Sequence, residues 1–388
     1  MSAPILPGKT LGIVGGGQLG RMLAQVAKRM GYRVTVLSPE GSSPAAQVAD
    51  EVVVAALDDK KAAERFADRV DVATFELEQV PIETARTIAG RVPVFPDPEL
   101  IATAQSRVHE KTVVFRAGFP TTPFHPVRSA GEILAAVSSV GLPAVLKTSQ
   151  GGYDGKGQRK VKTKAELEAA YAELGGVDCV LEAFVKFRRE LSVVVGRGRD
   201  GAVCDWGVFE NEHVDHVLDV TVSPARIPAE VEAKALEIAR GLAEKLDLVG
   251  VLCIELFECE NGDLLFNEMA PRPHNSGHLS IEGFVTSQFE QQLRTVCGLP
   301  LGSVERTQPA AAMVNLLGDL WTYDQAGALM GEPAWKNVLA RKGAYLHLYG
   351  KKTPRFGRKM GHITALGDTP AKAEAAVLAA RSALLPSA

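Results

Sequence analysis

Two glutamates, Glu255 and Glu268, stand in two apolar runs, Gly250–Glu260 and Asp263–Met269, separated by Asn261-Gly262. Asn-Gly is the preferred two-residue hairpin turn. With that turn Glu260 faces Asp263, Phe257 faces Phe266 and Glu255 faces Glu268. Opposed residues point to the same sheet face with Cβ atoms about 4.5–5.5 Å apart, so two carboxylates placed this way repel each other. A hard divalent cation removes that cost, and Mg²⁺ is typically held by one or two carboxylates together with substrate phosphates. A pair sharing one proton, or an exposed sheet edge, is the alternative.

Five further stretches could do chemistry. Lys147 ends an apolar run and is followed by Gln150-Gly-Gly-Tyr-Asp-Gly-Lys-Gly-Gln158. A cation beside a glycine-rich cover suits a nucleoside triphosphate, since backbone amides and one ammonium neutralise phosphates. The GxxxxGK[ST] loop is absent. Asp154 and Lys156, set among glycines, argue against a plain surface loop. Directly after the second glutamate, Ala270-Pro-Arg-Pro-His-Asn-Ser-Gly-His278 stiffens Arg272, His274, Asn275 and His278 between prolines, as a substrate-positioning loop would. A histidine metal site is its rival. The third stretch, Gly15-Gly-Gly17-Gln-Leu-Gly20, is a GxGxxG that follows a strand and opens a helix. It suits NAD(P), another phosphate-bearing ligand or a tight turn; Glu40, the acidic residue at the right separation for a ribose, lies beyond Pro39. Thr74-Phe-Glu76-Leu-Glu78 ends a strand, where open α/β sheets bind ligands. Near the end of the chain Lys351, Lys352, Arg355, Arg358 and Lys359 form a local basic excess that suits a small phosphate.

Alternating apolar runs and helical patterns place these residues. Leu11–Val14, Arg33–Leu37 and Val70–Thr74 read as strands of a parallel sheet, with a helix through Leu19, Met22, Leu23, Val26 and Met30 closed by Gly31. Pro93, Pro96 and Pro98 mark a domain edge, and Asp97-Pro98 caps a helix running toward Gly118. Ala144–Lys147, Val180–Phe184, Leu191–Val195 and Cys204–Phe209 read as further strands. Thr163 and Glu166 form a capping box, and a helix runs from Pro228 to about Leu246. The expected organisation is mixed α/β and α+β: a Rossmann-like domain over 1–97, a central domain over 98–300 with a lid at about 121–185, and a small module over 301–388.

Over 388 residues, 46% hydrophobic and 23% charged composition provides for buried cores, and a net charge of −3 gives no global pull toward nucleic acid or an acidic membrane. Five cysteines, an odd number without a CxxC pair, speak against a disulfide framework or a thiolate zinc site and fit a reducing compartment. The first ten residues lack a signal-peptide layout, so a cytoplasmic protein is expected.

Taken together, Gly-Gly-Gly17-Gln-Leu-Gly-Arg-Met22, Thr74-x-Glu-x-Glu78, Gly-Tyr-Asp-Gly-Lys-Gly-Gln158, Asn267-Glu-Met-Ala-Pro-Arg-Pro-His-Asn-Ser-Gly-His278 and Gly357-Arg-Lys-Met-Gly-His362 resemble the signatures of the N5-carboxyaminoimidazole ribonucleotide synthases, over essentially the whole chain. The resemblance implies an ATP-grasp fold, a homodimer, and use of ATP, Mg²⁺ and bicarbonate to carboxylate the exocyclic amine of 5-aminoimidazole ribonucleotide. It assigns ATP to Arg107, Lys147, Gly152, Tyr153, Asp154, Gly155, Lys156, Gly157, Gln158, Glu182, Ala183, Phe184, Val185, Glu190, His213, Asn267 and Glu268. Metal falls to Glu255 and Glu268. The ribonucleotide falls to Gln18, Leu19, Glu76, Asp154, Lys156, Arg272, His274 and Asn275, with its phosphate near Lys351 and Arg358. Arg272, Lys147 and Asp154 are the expected catalytic residues. Many related ATP-grasp enzymes carry asparagine two residues after the second metal glutamate; Ala270 stands there in this chain, leaving two protein carboxylates. A formate-using glycinamide ribonucleotide transformylase of the same fold, an NAD(P) oxidoreductase and a non-catalytic nucleotide sensor are the competing readings.

Overall fold

The computed structural model describes residues 3–152 and 157–385. The first unit is a parallel sheet of β1 (Thr10–Val14), β2 (Arg33–Ser38), β3 (Glu51–Val54) and β4 (Val72–Phe75) in the order β3-β2-β1-β4. Helices α1 (Gln18–Arg29), α2 (Lys60–Ala67) and α3 (Ile82–Ala89) cover it. Leu19, Met22, Leu23 and Ala27 form the buried stripe of α1, and Gly31, at φ +83°, turns the chain into β2.

The single helix expected after Asp97 is two, α4 (Pro98–Gln105) and α5 (Arg107–Arg116). Ser106 is extended between them, and its hydroxyl accepts the His109 N–H at 3.3 Å as a new N-cap. The break swings α5 so that its first turn faces the centre of the molecule.

The lid is a four-stranded sheet in the order β5-β8-β6-β7, built from β5 (Phe124–Val127), β6 (Ala144–Thr148), β7 (Gln158–Val161) and β8 (Cys179–Ala183). Helices α6 (Ile133–Val140) and α7 (Lys164–Glu173) pack on it around Leu146, Leu167 and Leu181. Thr163 caps α7, accepting the Glu166 N–H at 3.2 Å, while the Glu166 carboxylate accepts the N–H of Lys162.

The central sheet has eight strands. β9 (Phe187–Arg197), β10 (Val203–Val214), β11 (Val217–Ser223), β12 (Gly250–Cys259) and β13 (Leu264–Ala270) precede β14 (Ala310–Leu317), two short strands β15 (Thr322–Tyr323) and β16 (Leu329–Gly331) that pair apart, β17 (Ala344–Leu348) and β18 (Lys359–Gly367). The order β13-β12-β9-β10-β11-β14-β18-β17 shows that the chain beyond residue 300 continues this sheet, β11 pairing with β14 from Val220 to Ser223. Helix α8 (Ala229–Lys245) covers one face. Beyond it lie the short α9 (Ser280–Gly283), then α10 (Gln288–Cys297), α11 (Trp335–Leu339) and α12 (Pro370–Ser382). Phe289, Leu293 and Val296 of α10 share one core with Leu11, Ile13, Met22 and Val36, so the first unit is seated on the central sheet.

The β12–β13 hairpin differs from expectation in two places that cancel. Its loop has three residues, Glu260-Asn261-Gly262, with Gly262 at φ +83°, and the Cys259 N–H donates to the Asp263 carbonyl at 2.8 Å. Asp263 therefore faces Cys259 instead of Glu260, and Phe257 and Leu256 face Leu265 and Phe266. The register then shifts between Glu255 and Leu256, Asn267 being the extra residue, and Glu255 comes opposite Glu268.

Candidate active site

A cavity of about 920 Å³ opens where the ends of the first sheet, the lid and the central sheet meet. Its walls include Gln18, Leu19 and Glu76 from the first unit, and Lys147, Gly152, Gln158, Glu182, Ala183, Phe184 and Val185 from the lid. The central sheet and its neighbours contribute Arg107, Glu190, His213, Glu255, Asn267, Glu268, Arg272, His274 and Asn275. Gly157 is adjacent, its carbonyl accepting the Thr148 N–H at 2.9 Å. Tyr153, Asp154, Gly155 and Lys156 lie outside the described residues.

The bulge that aligns the two glutamates is gripped by one face of α5. Glu110 and Lys111 stand one turn beyond Arg107, and the three reach three consecutive residues. Arg107 donates to the Glu268 carboxylate at 2.9 Å, Lys111 to the Asn267 carbonyl at 2.9 Å, and Glu110 accepts the Met269 N–H at 2.6 Å. Glu110 and Lys111 are almost fully buried and were not singled out in the sequence. A Glu-Lys pair on a helix ordinarily reads as a solvated face, and only tertiary placement buries it.

Charges alternate through the site. Lys147 lies 3.0 Å and Lys111 3.4 Å from the same oxygen of Glu182. Burial would raise the Glu182 pKa, but these two cations hold it below the ordinary range. Burial, then the charge of Glu268, pushes Glu255 up to about 8. Glu268 would also rise on burial, but Arg107 and Lys147 hold it down to about 2; 41% of its side chain opens into the cleft. Two carboxylates, one of them reluctant to ionise, suit a divalent cation. Among the described residues no group of three or more His, Cys, Asp or Glu could hold one.

Across the cleft, the carboxylate of Glu76 accepts the N–H of Gly17 at 2.8 Å and of Gly20 at 3.2 Å. The anion at this helix N-terminus is thus the protein's own, which leaves no seat there for the pyrophosphate of a dinucleotide. Glu78 pairs with the Arg272 guanidinium. Burial is the largest influence on Arg272 and lowers its pKa, yet Glu78 outweighs it and raises the value. The Thr74–Glu78 segment and the 270–278 loop therefore meet as two halves of one wall. Burial, then Arg272 and Lys359, drives the His274 imidazole down to about 3. Gln288 of α10 clamps the His274 backbone, accepting its N–H at 2.9 Å and donating to its carbonyl at 2.7 Å.

Three expected residues sit elsewhere. His278 is fully buried, its ring against Phe289, Tyr349 and His362, and does not face the cavity. Lys351 and Arg358 lie beyond the cavity wall, donating to the carbonyls of Lys359 and Thr353. Lys359 is the cation of that cluster that lines the cavity; its place on an edge-proximal strand gives it no distinguishing sequence signal.

Three domain families match in order. Residues 8–105 match the ribonucleotide synthetase preATP-grasp domain, 112–289 the ATP-grasp domain, and 311–376 the phosphoribosylaminoimidazole carboxylase C-terminal domain. The chain is 42% identical over 360 residues to the N5-carboxyaminoimidazole ribonucleotide synthase of Bacillus subtilis (strain 168), covering 93% of this chain and 92% of that protein. It is 40% identical over 385 residues, 94% of this chain, to the bifunctional purine synthesis protein purC/E of Dictyostelium discoideum, of which it spans 38%. Among solved structures, the Thermus thermophilus N5-carboxyaminoimidazole ribonucleotide synthetase superposes with a TM-score of 0.87 at 43% identity, covering 97% of this chain and 99% of that one. The N5-carboxyaminoimidazole synthase of Aspergillus clavatus in complex with ADP and 5-aminoimidazole ribonucleotide gives 0.87 at 29% identity, over 97% and 98%.

Proposed function

This chain belongs to the N5-carboxyaminoimidazole ribonucleotide synthase family, ATP-grasp ligases of purine biosynthesis, and from that premise we propose which of its own residues carry each part of the reaction. ATP and bicarbonate carboxylate 5-aminoimidazole ribonucleotide, giving the N5-carboxyamino product, ADP and phosphate. The observation that carries the reading is convergence. Opposed Glu255 and Glu268, cationic Arg107 and Lys147, and the Glu78–Arg272 pair from the other side all face one cavity.

ATP is assigned to the lid side. The strand end from Glu182 to Val185 forms the hinge wall, while Lys147 and Arg107 meet phosphate charge. Arg107 also donates to the Gly152 carbonyl at 3.0 Å, tying the glycine loop to Glu268. Asp154 and Lys156, outside the described residues, are assigned by the family resemblance both to ATP and to the ribonucleotide. His213 Nδ1 lies 2.6 Å from the Glu190 carboxylate at the cavity rim. Glu255 and Glu268 fit Mg²⁺, which when bound would neutralise charge on the ATP phosphates.

The ribonucleotide is assigned to the opposite side, among Gln18, Leu19, Glu76, Arg272, His274 and Asn275, its phosphate toward Lys351 and Arg358. Asn275 lines the cavity, its amide held by the bond its Nδ2 donates to Asn315 Oδ1 at 3.1 Å. Bicarbonate oxygen bonds to the γ-phosphorus as the bond to ADP breaks, giving carboxyphosphate. The amine nitrogen then bonds to the carboxyl carbon, phosphate leaves with the electron pair of the broken C–O bond, and the proton lost by the amine passes to that phosphate. Arg272, fixed by Glu78 and by its bond to the Pro273 carbonyl, faces that developing charge. Positioning does most of the work, since carboxyphosphate must meet its acceptor before it hydrolyses.

A homodimer and a cytoplasmic location complete the proposal. The first is supported by the family resemblance and by the edge strand β17, whose Tyr345 and Leu348 are 41% and 42% exposed. The second is supported by the balanced composition and by five cysteines without a CxxC pair, which fit a reducing compartment. Phosphate release from ATP, Mg²⁺ and bicarbonate, with and without 5-aminoimidazole ribonucleotide, tests the function. Release that the ribonucleotide does not accelerate would overturn it.

A further inference from the structure

Behind the His274 ring runs a line of buried polar side chains that the reaction as described does not use. His274 Nδ1 lies 3.3 Å from the backbone nitrogen of Ser276 and 2.9 Å from its hydroxyl. A backbone N–H can only donate, so that contact, long at 3.3 Å, favours a lone pair on Nδ1 without fixing it alone; with the lone pair there, a neutral imidazole carries its hydrogen on Nε2. The hydroxyls are directed the same way. Asn211 Nδ2 donates to Ser192 Oγ at 2.9 Å and Ser192 Oγ donates to Ser276 Oγ at 2.9 Å, which leaves the Ser276 hydrogen for Nδ1. Thr221 donates to Asn211 Oδ1 at 3.0 Å and orients the amide. Ser192, Thr221 and Ser276 are 0% exposed and Asn211 6%. Polar side chains from β9, β10 and β11 thus converge through the core on one ring nitrogen. Replaced by apolar groups they would cost the core little; wired together, they specify an orientation.

We propose that His274 presents a fixed Nε2–H to the cleft, and that Ser276, Ser192 and Asn211 are positioning residues that set this tautomer. The proposal deepens the assignment of His274 to the ribonucleotide wall and rests on it for its catalytic meaning. Nε2 sits 3.4 Å from Glu255 Oε1 at the cavity surface. From there its hydrogen can be donated to an oxygen of the carboxyl or phosphoryl group in transfer. The same tautomer has no lone pair at Nε2, so the proton leaving the substrate amine is taken by another group.

The full-length protein labelled with ¹⁵N-histidine, at neutral pH without substrates, reads the tautomer directly in long-range ¹H–¹⁵N spectra. The His274 ring is assigned as the set of peaks missing from His274→Asn. Nδ1 at the shift of an unprotonated nitrogen and Nε2 at that of a protonated one is the expected pattern; a protonated Nδ1, or a doubly protonated ring, overturns the proposal. Ser276→Ala should mix the two tautomers and lower kcat about tenfold, with the KM for ATP within about twofold. Should that variant not fold, Ser192→Ala reports the same shift from one residue further back. An unchanged ring spectrum in the folded variant would show that the chain does not set the tautomer. Because the spectrum needs no substrate, its outcome is separate from that of the phosphate-release assay.

Discussion

Glu76 accepts the backbone N–H of Gly17 at 2.8 Å, so the glycine-rich turn of the first unit closes on a carboxylate carried by the neighbouring strand. A Cβ on Gly17 would stand 2.7 Å from both oxygens of that carboxylate. Gly17 has φ −77°, which any residue adopts, so glycine is needed there for the close approach. Gly17→Ala should therefore push Glu76 out of place and destabilise the protein by about 1–3 kcal/mol. The KM for the ribonucleotide should rise while that for ATP changes little. Nicotinamide cofactors should show no saturable binding in a fluorescence titration, since their pyrophosphate would have to displace Glu76.

The two hairpin glutamates give a sharper test. Glu268→Gln keeps the shape of the side chain and its contact with Arg107 but removes the negative charge a divalent cation needs. Bicarbonate-dependent ATP hydrolysis should fall by about 100-fold or more, as should activity in excess chelator. The melting temperature without metal should stay near that of the parent. Near-normal turnover in this variant would refute the metal assignment.

The basic cluster at 351–359 divides by position. Arg358→Ala should raise the KM for the ribonucleotide much more than that for ATP if the substrate phosphate reaches past the cavity wall. Lys359 lines the cavity itself and stands near His274, so Lys359→Met should affect the same substrate through kcat as well. Equal effects of Arg358→Ala on both substrates would mislocate the phosphate.

How far these features were readable beforehand depends on whether their cause is local. Strand alternation, the α1 stripe and the Thr163 cap are set by neighbours in sequence, and each was legible. The facing of Glu255 and Glu268 was also legible, but through two errors of one residue that cancelled. The preference of Asn-Gly for a two-residue turn lost to a three-residue loop, and a bulge at Asn267, with no marker of its own, restored the register. Ser106 looked like a helix interior because the apolar pattern continues through it; the break is stabilised by Arg107 donating its N–H to the Ser149 carbonyl, a contact between distant segments. The GxGxxG turn announced an anion but could not say that Glu76 supplies it. Glu110 and Lys111 stayed hidden for the same reason: their partners are backbone groups of a strand more than 150 residues away.

Glu110 also links the site to the pH dependence of folding. Burial, then the charge of Glu268, raises its pKa from the ordinary 4.5 to about 8. A carboxyl with a raised folded-state pKa binds its proton more tightly in the fold than in the unfolded chain. Its favourable contribution is complete below about 4.5 and is lost as pH rises toward 8. In metal-free protein, stability should therefore decline across that window. Glu110→Gln keeps an oxygen for the Met269 N–H without an ionisable group, so it should flatten the decline. By pH 9 the variant should exceed the parent by at least ~1 kcal/mol in urea unfolding, each pKa unit being worth about 1.4 kcal/mol. Glu110→Ala, which strands that N–H in the core, should be less stable than the parent at pH 5. Parallel pH profiles for parent and Glu110→Gln would show that the carboxyl is ionised in the fold, and that Lys111 and Arg107 outweigh its burial.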